Sequence, residues 1–179
     1  RGYGGDFNSW GGNLSASFRN ENQGHYVSLG SDISNGYRYN TDYEMINGFY
    51  QGEIILNSNS QIDIIAGLTD RKFGANGFYA SPQAIEQYEE VRTGLASVGY
   101  TYNSGRWKVN PRFSWRNNRD RYDYIRSSPG AYQNIHTTNT YAIETNTSYK
   151  SNLGTTGIGV EYRREEINGS WLRGSVASP

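Results

Sequence analysis

An all-β fold, read as an antiparallel up-and-down transmembrane β-barrel segment of about eight strands, is what this 179-residue sequence predicts. Three observations carry the prediction. Apolar residues recur with a period of two over long stretches, the connections alternate between short and long, and the residue mix is poor in aliphatics yet rich in rings. Only 35% of the chain is AVILMFWYC, and 16 Tyr, 4 Trp and 6 Phe supply much of it. So many rings at a net charge of zero exclude a disordered chain, and 22 Gly without a three-residue repeat exclude collagen. The densest apolar stretch, Ile62 to Leu68, is too short for a membrane helix and contains Asp63. The absence of Cys removes disulfide scaffolds, thiol nucleophiles and Cys-type zinc sites, and the charge balance gives no basic footprint for nucleic acid.

Taken in order, the strands declare themselves by alternation. A weak first copy runs through Leu14, Ala16 and Phe18. Gly48, Tyr50, Gly52, Ile54 and Leu56 then oppose Asn47, Gln51, Glu53 and Asn57, and Ile62, Ile64, Ala66 and Leu68 oppose Asp63, Gly67 and Thr69. Ala96, Val98, Tyr100 and Tyr102 oppose Ser97, Gly99, Thr101 and Asn103. The sharpest case is Arg106 to Arg116, where Trp107, Val109, Pro111, Phe113 and Trp115 oppose Arg106, Lys108, Arg112 and Arg116, predicting a lipid face and a lumen face. Tyr141, Ile143, Thr145 and Tyr149 repeat the pattern weakly, and Ile158, Val160 and Tyr162 oppose Gly159, Glu161 and Arg163. No apolar stripe has helical spacing, although Gln83 to Glu90 has room for one turn.

Between strands, Asn20 to Gly24, Asn57 to Gln61, Asn103 to Arg106 and Lys150 to Gly154 are short and rich in Gly, Asn and Ser, as hairpin turns require. Asn35 to Glu44, Arg71 to Glu90, Asn117 to Thr138 and the stretch from Glu165 onward are long and irregular. All short turns therefore fall at one end and all long loops at the other. Soluble sandwiches and small barrels use shorter strands and seldom sort their loops this way. Membrane barrels do, and rings at strand ends (Tyr26, Tyr50, Tyr100, Tyr102, Trp107, Trp115, Tyr149, Tyr162) suit aromatic girdles. A secreted soluble β-rich binding domain and a small structural or adhesion barrel are the alternatives.

Lys72-Phe-Gly-Ala-Asn-Gly-Phe-Tyr79 with Gln87-Tyr-Glu-Glu-Val-Arg-Thr93, then Trp115-Arg-Asn-Asn-Arg-Asp-Arg-Tyr122 with Arg126-Ser-Ser-Pro129, and finally Gly157-Ile-Gly-Val-Glu-Tyr-Arg163 resemble, in one order, segments of TonB-dependent outer-membrane receptors of Bacteroidota. Members are often described as vitamin B12 receptors. The resemblance implies a barrel of about 22 strands around a plug, in the bacterial outer membrane, importing a scarce nutrient with energy from the TonB complex. A cobalamin-type ligand is the first expectation and an iron chelate the second. With about eight strands, no plug or signal peptide at its start and no terminal aromatic strand, residues 1–179 read as the early part of such a barrel. Implied partners are the small-molecule nutrient, outer-membrane lipid, the TonB protein acting through a plug, and a surface lipoprotein or barrel-assembly partner.

No catalytic constellation and no cofactor motif is expected. His25 and His136 lie far apart in sequence, Glu89-Glu90 and Glu165-Glu166 point to opposite faces of a strand, and the glycines of Gly154-Thr-Thr-Gly157-Ile-Gly159 lead into no helix. Asp42, Glu44, Asp120 and Asp123 meet no calcium-ligand spacing. Recognition belongs instead to the long loops, where Phe78, Tyr79 and Tyr88 in one, and Arg119, Tyr122, Tyr124 and Arg126 in the next, are the expected ligand-binding residues. Bracing of loop against loop is the competing role for the same side chains.

Overall fold

Nine antiparallel strands, each paired with its sequence neighbours, make one up-and-down sheet in the computed structural model, which describes residues 1–79 and 81–169. They are β1 (Gly2–Gly5), β2 (Ser9–Arg19), β3 (Gln23–Ser34), β4 (Tyr43–Asn57), β5 (Ser60–Gly74), β6 (Tyr88–Ser104), β7 (Trp107–Asp123), β8 (Gln133–Ser151) and β9 (Gly154–Gly169). Among the described residues the only helix is the 3-10 turn Pro129–Ala131, so Gln83 to Glu90 contributes none.

The short turns close by local chemistry. Asn20 Oδ1 accepts from the amides of Asn22 and Gln23 (both 2.9 Å), Asn57 Oδ1 from Asn59 (2.9 Å) and Ser151 Oγ from Leu153 (3.2 Å). These side chains mimic a backbone turn. The fourth turn uses Gly105 at φ 57°. The ninth strand, β1, escapes the sequence pattern because it is four residues of mostly glycine, a poor strand former. Its connection to β2 turns on Phe7 and Asn8, both at positive φ, and lies beside Asn35 at the long-loop end, so that end carries one tight turn as well.

Register places the predicted apolar rows on one side of the sheet. Phe18 faces His25, Val27 faces Tyr50, Tyr50 faces Ala66, Ile64 faces Val98, Val98 faces Phe113, Phe113 faces Ile143 and Ile143 faces Tyr162. Arg112, on the other side, pairs with Asp63 and with Glu144 at 3.7 Å. Tyr26 is a correction. It stands opposite Gln51 on the polar face and packs on Phe49 (ring centroids 6.2 Å), away from any girdle. Leu56 is the extra residue of a bulge between Ile55 and Asn57. The β6–β7 ladder skips two rungs between Gly99↔Arg112 and Tyr102↔Val109 without a change of register, around Pro111, whose nitrogen has no proton to give. There Asn110 Nδ2 reaches Thr101 Oγ1 at 2.7 Å.

Almost nothing is buried. The only buried apolar residues among those described are Ala75 and Ala84. The chain exposes 12259 Å², against the roughly 8,800 Å² expected of a compact monomer of this mass. Leu14, Leu29, Ile143 and Val160 are each more than half exposed on the apolar face. Backbone ladders hold this sheet, and its apolar face is free for hydrocarbon. β1 and β9 pair on one side only, so the sheet is open among the described residues.

Strands run further toward the long loops than the composition suggested. β7 and β8 reach 17 and 19 residues. The loops shrink accordingly to 35–42, 75–87 and 124–132. The last long stretch begins as β9, and its remainder lies outside the described residues.

Candidate functional site

The three loops at this end meet in a polar cap whose centre is Gln87, fully buried. Gln87 Oε1 accepts from the Tyr79 amide (3.1 Å), its Nε2 donates to the Tyr122 hydroxyl (2.7 Å), and its carbonyl accepts from Ala75 N (2.8 Å) and Asn40 Nδ2 (2.6 Å). A buried amide is stable only when its groups are paired in this way. Asn40, at φ 52°, also donates to the Ile85 carbonyl at 2.9 Å and accepts from Arg126 Nη1 at 3.1 Å. Its own carbonyl accepts from Asn76 N and sits where a side chain on residue 74 would begin: a Cβ there would lie 2.5 Å from it, which is why Gly74 ends β5.

Arg126 ties the first loop to the third. Its two terminal nitrogens donate to both carboxylate oxygens of Asp42 (2.6 and 2.9 Å), its amide donates to the Glu86 carbonyl (2.8 Å), and its guanidinium lies 4.4 Å from the Tyr88 ring centroid. Such a fork holds its carboxylate well. Its hydrogen bonds bring the Asp42 carboxyl below the ordinary range. Glu86 is shifted the same way by the hydroxyls of Tyr39 and Ser127. Asp123, at the end of β7, is buried between Arg121 (2.8 Å) and Gln133 (2.7 Å). The loop acids named for calcium are thus engaged by side-chain donors at Asp42 and Asp123, and no group of three or more His, Asp or Glu among the described residues is arranged to hold a metal.

Over this floor runs a chain of rings. Phe78 meets Tyr79 edge-on (4.8 Å), Tyr79 meets Tyr122 (5.6 Å), Tyr122 meets Tyr132 (6.5 Å) and Tyr132 meets Tyr124 (6.4 Å). Edge-to-face pairs of this kind orient one another. Phe78 is 77% exposed, and Tyr79, Tyr124 and Tyr132 are each exposed by more than a third. Beneath them, beyond the apolar belt, Glu89 and Asp120 share the polar face with His136. Burial raises the carboxyls of both acids, and one oxygen of Asp120 is buried without a hydrogen-bond partner. Burial, and then the hydrogen bond to Glu89, raise the Tyr79 hydroxyl.

The seven sequence-predicted site residues therefore separate. Phe78, Tyr79, Tyr122 and Tyr124 come together in one aromatic chain. Tyr88 and Arg126 come together as a brace below it. Arg119 is in neither: it lies on β7 rather than in a loop, on the same face as Trp115 and opposite to Tyr122. Tyr122 and Tyr88 are strand residues too. Sequence reading missed Asn40 and Gln87 as the cap's centre. Gln87 carried a signal, as the first residue of a motif quoted for its resemblance.

No protein-family profile matches the sequence, and no curated protein does. Solved structures match in fold. The siderophore receptor PiuA from Acinetobacter baumannii superposes with a TM-score of 0.72 at 10% identity, covering 93% of this chain and 30% of the receptor. The copper transporter OprC superposes at 0.65 and 11% identity, covering 96% of this chain and 28% of the transporter. The chain is thus an all-β, antiparallel up-and-down segment with the fold of a transmembrane β-barrel wall, and it spans less than a third of either neighbour.

Proposed function

We propose that this chain is part of the wall and ligand-capturing cap of a TonB-dependent receptor in the bacterial outer membrane, importing a scarce nutrient too large for passive pores. One observation carries the reading: an exposed aromatic chain, Phe78–Tyr79–Tyr122–Tyr132–Tyr124, stands on a hydrogen-bonded floor at the long-loop end of a membrane-type wall. Rigid rings on a rigid floor give contact area at small conformational cost. Capture and passage need no covalent step, so the reading is transport and not catalysis. The open edges at β1 and β9 support a larger barrel, about 22 strands around a plug through which TonB acts. Cobalamin-type ligands come first on the loop motifs, with their Bacteroidota resemblance, and iron chelates second. Phe78, Tyr79, Tyr122 and Tyr124 make the contact, while Tyr88 and Arg126 hold the floor.

Titrating the full-length protein in detergent with cobalamin and with ferric siderophores tests this. Tyr79→Ala with Tyr124→Ala is expected to weaken the bound ligand by about 2 kcal/mol or more, roughly thirtyfold, leaving the heat resistance of the folded barrel on gels unchanged. Unaltered affinity in a normally folded double variant removes these residues from the site. Binding of an iron chelate and not cobalamin moves the ligand and leaves the transporter reading standing.

A further inference from the structure

Just above the belt, the apolar face changes from hydrocarbon to charge within two rungs. Trp115 closes the belt on β7, its indole N–H donating to Asn139 Oδ1 (3.4 Å), and Asn117, next on that face, donates to the same oxygen at 2.9 Å. The following rung sets Arg92 of β6 directly opposite Arg119 of β7, with Thr137 of β8 beyond. Like charges directly opposite one another destabilise a ladder unless something compensates them. One carboxylate does so in part: Asp70 of β5, across from Arg92, accepts from its Nε and Nη2 at 2.9 and 2.5 Å. The remaining acids on β4–β8 of this face serve other bases, Glu44 with Lys72 (4.0 Å), and Glu90 and Asp123 with Arg121 (3.5 and 2.8 Å). Arg119 is exposed and has no hydrogen bond or ion pair among the described residues.

Position and charge together select the occupant. At about 3.3 Å per residue, Arg119 lies roughly 13 Å along the strand beyond Trp115, or about 10 Å in height at a barrel tilt near 40°. The polar layer of a bilayer extends about 5–8 Å beyond its hydrocarbon, and an arginine bends back by its own length to reach it. Guanidinium forks match phosphate oxygens. The geometry points to a binding site for a phosphorylated lipid headgroup on the outward wall at the long-loop end, formed by Arg119 and Arg92 with the Thr137 hydroxyl. This rests on the membrane orientation proposed above, and it takes Arg119 out of the nutrient site.

Delipidated full-length protein in neutral detergent, titrated with lipid A, with dephosphorylated lipid A and with inorganic phosphate, tests it by tryptophan fluorescence and by the temperature of barrel unfolding. Lipid A is expected to bind and raise that temperature, and the other two are expected to do neither. Arg92→Gln with Arg119→Gln should weaken lipid A at least tenfold, and Arg119→Lys should restore most of the loss by restoring the charge. Nutrient affinity should not move in any of them. Equal binding of lipid A with and without its phosphates, or unchanged binding in the folded double variant, overturns the site; binding of inorganic phosphate alone makes it an anion site and refutes the lipid assignment. A protein that stays dispersed without detergent and shows no heat-modifiable barrel fails the membrane orientation itself, and this site with it.

Discussion

The wall and the cap are built from one continuous ladder, yet they are specified in different ways. In the wall, any apolar residue facing outward does the work of any other. Ile64, Val98, Phe113 and Ile143 differ in shape and share only their side of the sheet. In the cap the groups are held by particular partners, one oxygen of Asp120 excepted, and Gln87 alone joins β7 to the loops at 35–42 and 75–87. A wall specified by pattern tolerates exchange within the pattern, whereas a cap specified by pairs does not.

The largest effect expected comes from breaking the pattern. Phe113→Arg puts a charge inside the belt, one rung below Trp115, and should cost about 1–4 kcal/mol, while Ser114→Arg, one residue on and facing the other way, should cost under about 1 kcal/mol. Urea unfolding of the full-length protein in lipid vesicles measures both. Similar losses would mean that the two faces are not lipid and lumen.

Smaller losses should follow in the cap, and they should be local. Gln87→Leu leaves the Tyr79 amide without its acceptor and the Tyr122 hydroxyl without its donor, at about 1–3 kcal/mol. Gly74→Ala pushes the Asn40 carbonyl away, at a comparable 1–3 kcal/mol, roughly, for overpacking. In both, hydrogen exchange should accelerate at Ala75, Asn76 and Tyr79 and stay slow in β5–β7 below the cap. Exchange that accelerates evenly down the strands would refute the division between cap and wall.

That division also marks what the sequence disclosed. Seven apolar rows were legible because a period of two is local, and the register merely aligned them. Turns were legible where Asn20, Asn57 and Ser151 close them with their own side chains. Tyr26 misled because an aromatic near a strand end looks the same whichever way it faces. Strand ends were misplaced because Arg119, Tyr122 and Asp123 look like loop residues, and only pairing across β6, β7 and β8 keeps them extended. The cap was illegible for a further reason: its pairs join residue 40 to 87 and residue 42 to 126, and no local pattern announces a partner so distant in the chain.

Acid should loosen the cap before the wall. The Asp42 carboxyl is lowered in the folded protein, so its bond to Arg126 contributes fully above the ordinary value of 3.8 and is lost as pH falls below it. Glu89 and Asp120 are raised, so they act in the opposite sense, favouring the fold when protonated and withdrawing that support as pH rises through their raised values. Limited proteolysis of the loop at 35–42 should therefore increase below about pH 3.8, and Arg126→Gln should show that increase already at neutral pH. A loop equally protected at both pH values would disconnect Asp42 from cap stability. The smallest effect is expected at Phe78, 77% exposed: Phe78→Ala should change unfolding by under about 0.5 kcal/mol while still weakening the nutrient.

β7 and β8 pass from the belt into the cap without interruption and meet at the half-buried Asp123–Gln133 bond, with no hinge between the two levels. A hydrogen-bonded ribbon of that length is a stiff lever. An event at the rings above can be transmitted downward only as a tilt of the strands themselves, or else by side chains moving within a stationary frame, and that narrows where the moving part of such a gate must be sought to the space the wall encloses.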